Sequence, residues 1–425
     1  MKWRNQVLAL LCLFAFAGLG VLYFQHWVVQ KPFGIILLIG EGLAPERLAQ
    51  SRMYVGGADA RLTLDSMDHL ALIMNSSKDF AVSDQAAAAT AMATGVKVSN
   101  RALAVNPQGK QLATIIDLAR EHRRATGLIT DITLTDPTCA AFYAHSANPY
   151  DTDDLARQLA EGGKIDIAMG MSAAEFLPEK KGGQRQDGRD LLLELRGNGS
   201  DVVRTRSELE SIPGWQRTRL FGIFEPESPA ATRTQQWSDQ PNLSDMARRA
   251  IELLQYNPRG YLLVIVAGLM REAAEANDAE GTLRHTSEFD QAVATARRYA
   301  GPKSTVVACG DVAVGGLSLN GFPFRKDSGI ALLGLNPAGQ PWMTWASGPQ
   351  GTQSYGTAKQ SDKDAAVTKE SAQPTNTISQ PAAFYTKSAL PTVEDVPAFG
   401  AGPGTESLQG SMDNTEIFKI IRDEL

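Results

Sequence analysis

The chain has 425 residues, of which 43% are hydrophobic and 21% charged, and its formal net charge is -6. That composition gives a globular protein ample material for a large core, as two or three domains or as one α/β domain with insertions. The acidic balance and the lack of a long basic run argue against nucleic acid as a partner.

In chain order, Lys2 and Arg4 precede an apolar run from Val7 to Phe24, the arrangement of a secretory signal. The run is 18 residues long, near the lower limit for crossing a bilayer. Residues 7–27 therefore read as an uncleaved signal anchor, with a signal peptide cleaved near Ala15-Phe16-Ala17 as the alternative. In the anchored form residues 1–6 stay cytoplasmic, Tyr23 and Trp27 sit at the far interface, and the rest of the chain lies outside.

Gly34 to Gly40 is a continuous apolar run ending in glycine, which predicts a buried parallel strand with Glu41 at its end. Ala71–Met74 reads as a second strand. Asp84 is a good N-cap for a helix through Met92 that Gly95 stops, and its near-absence of charge predicts full burial. Leu112–Arg123 and Leu243–Leu254 read as helices, and Glu272–Ala300 as one long helical stretch. Strands are expected at Ala125–Leu134, Tyr261–Val266 and Thr305–Cys309. Residues 347 to about 380, rich in Gly, Ser, Thr, Gln and Lys, read as a flexible polar insertion. An amphipathic helix from Asn414 to Asp423 closes the chain. Strands alternating with helices predict an α/β domain over 30–425, with a largely parallel sheet and helices on both faces. Ligand sites in such sheets lie at the carboxyl ends of the strands, where Glu41, Asp136 and Asp311 fall.

Cysteine and histidine bound the metal chemistry. The three cysteines are Cys12, Cys139 and Cys309, and the five histidines are His26, His69, His122, His145 and His285. Cys12 lies in the apolar run. Cys139 and Cys309 read as small buried side chains, with a disulfide between them as the alternative. No CxxC, HxH or HxxxH spacing occurs, so a structural zinc site is not expected.

Three segments carry a resemblance: Leu38-Ile39-Gly40-Glu41-Gly42, the stretch from Val82-Ser83-Asp84-Gln85 to Gly95-Val96-Lys97, and Thr135-Asp136-Pro137-Thr138 through His145. In this order and spacing they resemble the alkaline phosphatase family. Leu220-Phe221-Gly222, Ala276-Asn277-Asp278, Glu288-Phe289-Asp290, Glu394-Asp395-Val396-Pro397 and Met412-Asp413-Asn414-Thr415 extend the likeness over roughly 33–425. The resemblance implies an alkaline-phosphatase-like fold, two zincs and one magnesium, a serine nucleophile at a helix N-terminus, a phosphate-clamping arginine and a homodimer.

Position by position, that machinery is replaced. The nucleophile position is Gln85, and the clamp position is Pro149. The zinc that activates water would fall to Arg271, Glu275 and Pro391. The second zinc would fall to Glu41, Asp311, Val312 and Gln85. The magnesium position becomes Glu41, Asp136, Thr138 and Val266. Glu41, Asp136, Thr138 and Asp311 are thus a residual oxygen set suited to one Mg or Ca ion, whereas zinc is not expected. Alternatively, Arg271 neutralises these acids where zinc would sit. His145 is expected to be structural.

The reading that follows is a catalytically inactive alkaline phosphatase homologue, a pseudoenzyme. It would act as a membrane-tethered binding or scaffolding module on the periplasmic side of a bacterial inner membrane, or secreted if the signal is cleaved. Its partner would be an unidentified protein or a small anion. The alternatives are a phosphate-monoester hydrolase with a rebuilt metal site and a small-anion receptor using Gln85 and Arg271 as donors.

Overall fold

The computed structural model describes residues 2–23, 33–214, 219–225, 239–321, 326–327, 329–336, 338–351 and 380–425. Its strands in chain order begin with β1 Gly34–Gly42, β2 His69–Met74, β3 Ala125–Thr133 and β4 Ile167–Met171. There follow β5 Ser200–Val203, β6 Arg219–Phe224, β7 Tyr261–Ala267, β8 Thr305–Ala313 and β9 Ser318–Leu319. The last are β10 Met343–Gly348, β11 Ala382–Tyr385, β12 Val396–Ala401 and β13 Gln409–Asp413.

Ten of them form one sheet in the order β13-β2-β12-β8-β1-β7-β3-β4-β6-β5, and β11-β10-β9 form a small second sheet. In the large sheet only β12 runs antiparallel to its neighbours. Every residue of β1, β7 and β8 is buried, because helices cover both faces. β2 instead alternates, with Ala71 and Ile73 inward and Leu70, Leu72 and Met74 exposed, as a strand covered on one side does. Separate apolar cores fill the two faces. One contains Ile35, Leu37 and Val264, and the other Ile36, Leu38 and Leu263, as the two-residue period of a strand requires.

The helix Gln85–Thr94 forms as expected. The Asp84 side chain accepts from the Ala87 N–H at 2.9 Å, and Ala86 through Thr94 are all buried. Gly95 ends it at φ 70, where an added Cβ would lie 2.5 Å from the Phe418 ring. Glycine is required there twice, by the left-handed backbone and by the close approach.

Two expectations change and one open alternative closes. Glu272–Ala300 is not one helix but two, Leu269–Glu275 and Ala279–Ala300. Asn277 turns between them at φ 55, its side chain donating to the Ser347 carbonyl, and Asp278 caps the second helix. Asparagine tolerates this left-handed conformation better than most residues. The polar insertion begins later than residue 347, because Ser347 and Gly348 end β10 and Ser347 is buried. Residues 352–379 of it lie outside the described residues. Cys139 and Cys309 are both free thiols in the core, with Cys309 Sγ 3.8 Å from Met92 Sδ. Burial pushes both thiols up, so they are inert apolar side chains.

The helix Lys2–Tyr23 stands apart from both cores. Its residues Trp3–Gly20 are all exposed, and its 22 residues span about 33 Å, enough to cross a bilayer.

Candidate functional site

The sheet order brings the site together. β8, β1, β7 and β3 are consecutive neighbours, so their carboxyl ends present Asp311, Glu41, the helix Leu269–Glu275 and Asp136 side by side. Asp136 follows β3 and caps a short helical turn, accepting from the Thr138 N–H at 2.9 Å. Glu41 and Asp311 have no solvent exposure, and Asp136 has 8%.

Arg271 fills the space between them. Its Nε lies 2.5 Å from Glu41 Oε2, its Nη2 2.9 Å from Asp136 Oδ2 and its Nη1 3.0 Å from Glu275 Oε1. One guanidinium therefore serves three carboxylates, a task its planar fork of five donors suits. Burial works against its charge, but Glu41, Asp136 and Glu275 overcome that and hold it more firmly protonated than an ordinary arginine. Burial, together with the nearby Glu41 charge, pushes the Asp136 carboxyl well up despite Arg271. The same two causes push Asp311 up to about 7.

Asp131 places that guanidinium. It sits inside β3 and accepts from the N–H groups of Gly268 and Leu269 at 2.7 and 3.3 Å, capping the helix that carries Arg271. Burial pushes Asp131 up to about 7.

A second guanidinium, Arg47, is also buried beside the site. It donates to the Val314 carbonyl at 2.5 Å, and its Nη1 lies 3.7 Å from where a Cβ on Gly42 would stand. Its Nε and Nη1 have no hydrogen-bond partner among the described residues, and burial lowers its pKa to about 10.

The remaining expected positions supply little. Val266 is buried in β7 beside Ile39, and Val312 offers its backbone N–H to Asp311. Pro391 bridges to Val314. Pro149 is buried in the turn ahead of the helix Thr152–Gly162. Gln85 opens its helix half-buried. Ser83 Oγ donates to the Asp84 carbonyl, while Thr90 Oγ1 donates to Ala102 O and accepts from Ala104 N. Thr90 is thus occupied in loop structure. His145 Nδ1 lies 3.0 Å from Ala104 O, a structural contact.

Arg47 and Asp131 were not singled out from sequence. A carboxylate inside the apolar strand Ala125–Leu134 was the available signal for Asp131, because a buried acid needs donors. Arg47 reads as an ordinary helix-surface residue and gave none.

Comparison with known proteins fits this architecture. A family model for alkaline phosphatase matches residues 34–425. Alkaline phosphatase 4 of Bacillus subtilis is 26% identical over 422 residues, covering 91% of this chain and 88% of the relative. Alkaline phosphatase of Escherichia coli is 29% identical over 313 residues, covering 63% and 66%. Among solved structures, Thermus thermophilus alkaline phosphatase superposes with a TM-score of 0.71 at 21% identity, covering 93% of this chain and 92% of that one. A variant of the TAB5 alkaline phosphatase solved with Mg bound gives 0.67, also at 21% identity, with 93% and 98% covered.

Family members bind metal ions, and the donor set here can be tested against that chemistry. It does not fit a pair of zincs, since the side chains of Val312 and Pro391, at the positions the resemblance assigns to zinc ligands, have no ligand atom and Arg271 holds oxygens of Glu41, Asp136 and Glu275. For one hard cation the oxygens left over are Glu41 Oε1, which is buried without a partner among the described residues, Asp311 Oδ2 and Thr138 Oγ1, the last two 3.5 Å apart. On the family match and the shared fold, this chain belongs to the alkaline phosphatase family.

Proposed function

We propose that this chain is a catalytically inactive alkaline phosphatase homologue acting as a membrane-tethered binding module on the outer face of a bacterial inner membrane. The carrying observation is Arg271 among Glu41, Asp136 and Glu275, where a guanidinium supplies the positive charge that metal ions would otherwise supply. Phosphoryl transfer by metal-assisted displacement needs a nucleophile, cations on the phosphate oxygens and a clamp. Gln85 has no nucleophilic oxygen, Pro149 has no donor, and Arg271 blocks the cation seat. The helix Lys2–Tyr23 supports the tether reading by its length, apolarity and exposure.

Purified full-length protein supplied with zinc and magnesium should not turn over p-nitrophenyl phosphate. Clear turnover abolished by a chelator would sink this reading.

One observation favours a second reading, a single Mg or Ca ion at Glu41, Asp136, Thr138 and Asp311. Four acids, Glu41, Asp136, Glu275 and Asp311, outnumber the two guanidiniums Arg271 and Arg47 beside them, and Glu41 Oε1 lacks a donor among the described residues. Metal analysis of protein purified without chelator decides between the two: a stoichiometric divalent ion would favour the second.

A further inference from the structure

The edge of the large sheet opposite the candidate site carries a charge pattern that the proposed function does not use. The parallel strands begin there. In sheet order the edge presents Lys303 ahead of β8, Phe33 ahead of β1, Arg259 ahead of β7, Arg123 ahead of β3, Lys164 ahead of β4 and Arg219 opening β6. Neighbouring strands lie about 4.8 Å apart, so the row crosses roughly 25 Å. Across residues 122–124, 163–166, 219, 255–260 and 301–304 the single acid is Asp166, in a chain whose acids outnumber Lys and Arg by 47 to 41.

Asp166 is engaged by Arg120 at 3.0 Å and by the Thr126 N–H, and Lys164 pairs with Asp117 at 2.8 Å. Arg123, Arg259 and Lys303 are exposed, as is Arg219, whose Nη2 donates to the Gly163 carbonyl at 3.4 Å. Arg120, Arg123, Arg124 and Arg219 line one groove of about 370 Å³. Three aromatic side chains are exposed on the same edge: Phe33 at 42%, Tyr256 at 46% and Tyr299 at 38%. Helix C-termini converge here and favour cations in their last turns, which accounts for Arg120 and Arg297. It does not call for Arg259 and Lys303 beyond the helix ends, or for exposed aromatic rings beside them.

The apolar helix joins the domain within this row. Phe33 directly precedes β1, between β8 and β7, and its carbonyl accepts from Arg124 Nη1 at 3.2 Å. Between Tyr23 and Phe33 an extended chain reaches at most about 35 Å. With the helix in a bilayer, this link holds the attachment point, and with it the cationic row around Phe33, within reach of the membrane surface.

We propose that this edge docks on the membrane and binds anionic phospholipid headgroups. Arginine and lysine meet the phosphate oxygens, and Phe33, Tyr256 and Tyr299 lie at headgroup depth. Its geometry rests on the tether reading above. The candidate site then faces away from the membrane, about 30 Å further out across the nine residues of β1.

The test uses the full chain, transferred from detergent to vesicles of phosphatidylcholine alone or with about a third phosphatidylglycerol, at low salt and at roughly 1 M salt. Amide hydrogen exchange at 122–124 and 255–260 should be several-fold slower on the phosphatidylglycerol vesicles. The difference should vanish at high salt and in the variant Arg123→Glu/Arg259→Glu/Lys303→Glu, whose circular dichroism and melting should match the parent. Equal exchange on the two lipids overturns the proposal, as does the same protection from inorganic phosphate without vesicles. Flotation on phosphatidylcholine at high salt scores the tether separately. A chain that stays behind there refutes the tether. Its low-salt flotation on phosphatidylglycerol vesicles alone would still support the docking edge, and failure to float on them would overturn that too.

Discussion

Arg271 and Glu41 are 230 residues apart in sequence, yet Arg271 Nε lies 2.5 Å from Glu41 Oε2, on a carboxylate with no solvent exposure. A buried acid in that position has to be protonated, coordinated or paired. Truncating Arg271 to alanine leaves Glu41 and Asp136 uncompensated, and breaking a buried pair from one side costs about 3–5 kcal/mol. Arg271→Ala should therefore lose stability of that order in urea unfolding. Arg271→Lys should lose less, because it keeps the charge but not the three-way contact. A loss below about 1 kcal/mol for the alanine variant would mean the acids are not charged in the native state.

Arg271→Asp goes further, replacing the guanidinium with another carboxylate among Glu41, Asp136 and Glu275. Without added metal this variant should melt well below the parent. Magnesium or calcium should then raise its Tm in a concentration-dependent way, since a ligand that binds only the folded state stabilises it by mass action. The parent should respond weakly. An equal response in the two proteins would show that the cation binds elsewhere or that Arg271 does not block the seat.

Much of this arrangement was legible in the sequence, for identifiable reasons. The apolar run ending at Glu41 reads as a buried parallel strand and is one, and Asp84 and Gly95 mark the two ends of their helix by local rules alone. Arg271 could be assigned by counting from Asn277-Asp278, and the structure brings it to Glu41, Asp136 and Glu275. The break at Asn277 was missed because helical periodicity resumes one turn later, and the left-handed residue is fixed by tertiary bonds, its side chain donating to the Ser347 carbonyl and accepting from the Gln350 N–H. Arg47 was missed because its burial depends on Val314, which is 267 residues away. The cationic row was invisible for the same reason. Its members are scattered from Arg123 to Lys303 and become neighbours only in sheet order.

Gln85→Ser restores a hydroxyl at the first position of the helix Gln85–Thr94, where the helix N-terminus would favour an anion. It restores nothing else, since Pro149 still lacks a donor and Arg271 still occupies the carboxylates. The variant should show no phosphatase turnover above the parent with zinc and magnesium present. Restored, chelator-sensitive turnover would mean that one residue alone separates this chain from activity.

Asp131 gives the fold a pH dependence whose sign can be worked out. Burial raises its folded-state pKa to about 7 from an ordinary value of 3.8, so between these values the folded protein binds more protons than the unfolded chain. Stability then falls as pH rises from about 4 to about 7, and the effect flattens above that window. Asp311, raised to about 7 by burial and Glu41, adds in the same direction. Asp131→Asn keeps an oxygen to accept from Gly268 and Leu269 but removes the titration. Its unfolding free energy should decline less steeply over this window than the parent's. The variant should also be the more stable of the two at pH 8, where the parent carries a buried charge. A parallel pair of pH profiles would show that Asp131 is not protonated in the folded protein, and that the helix carrying Arg271 is capped by a carboxylate throughout.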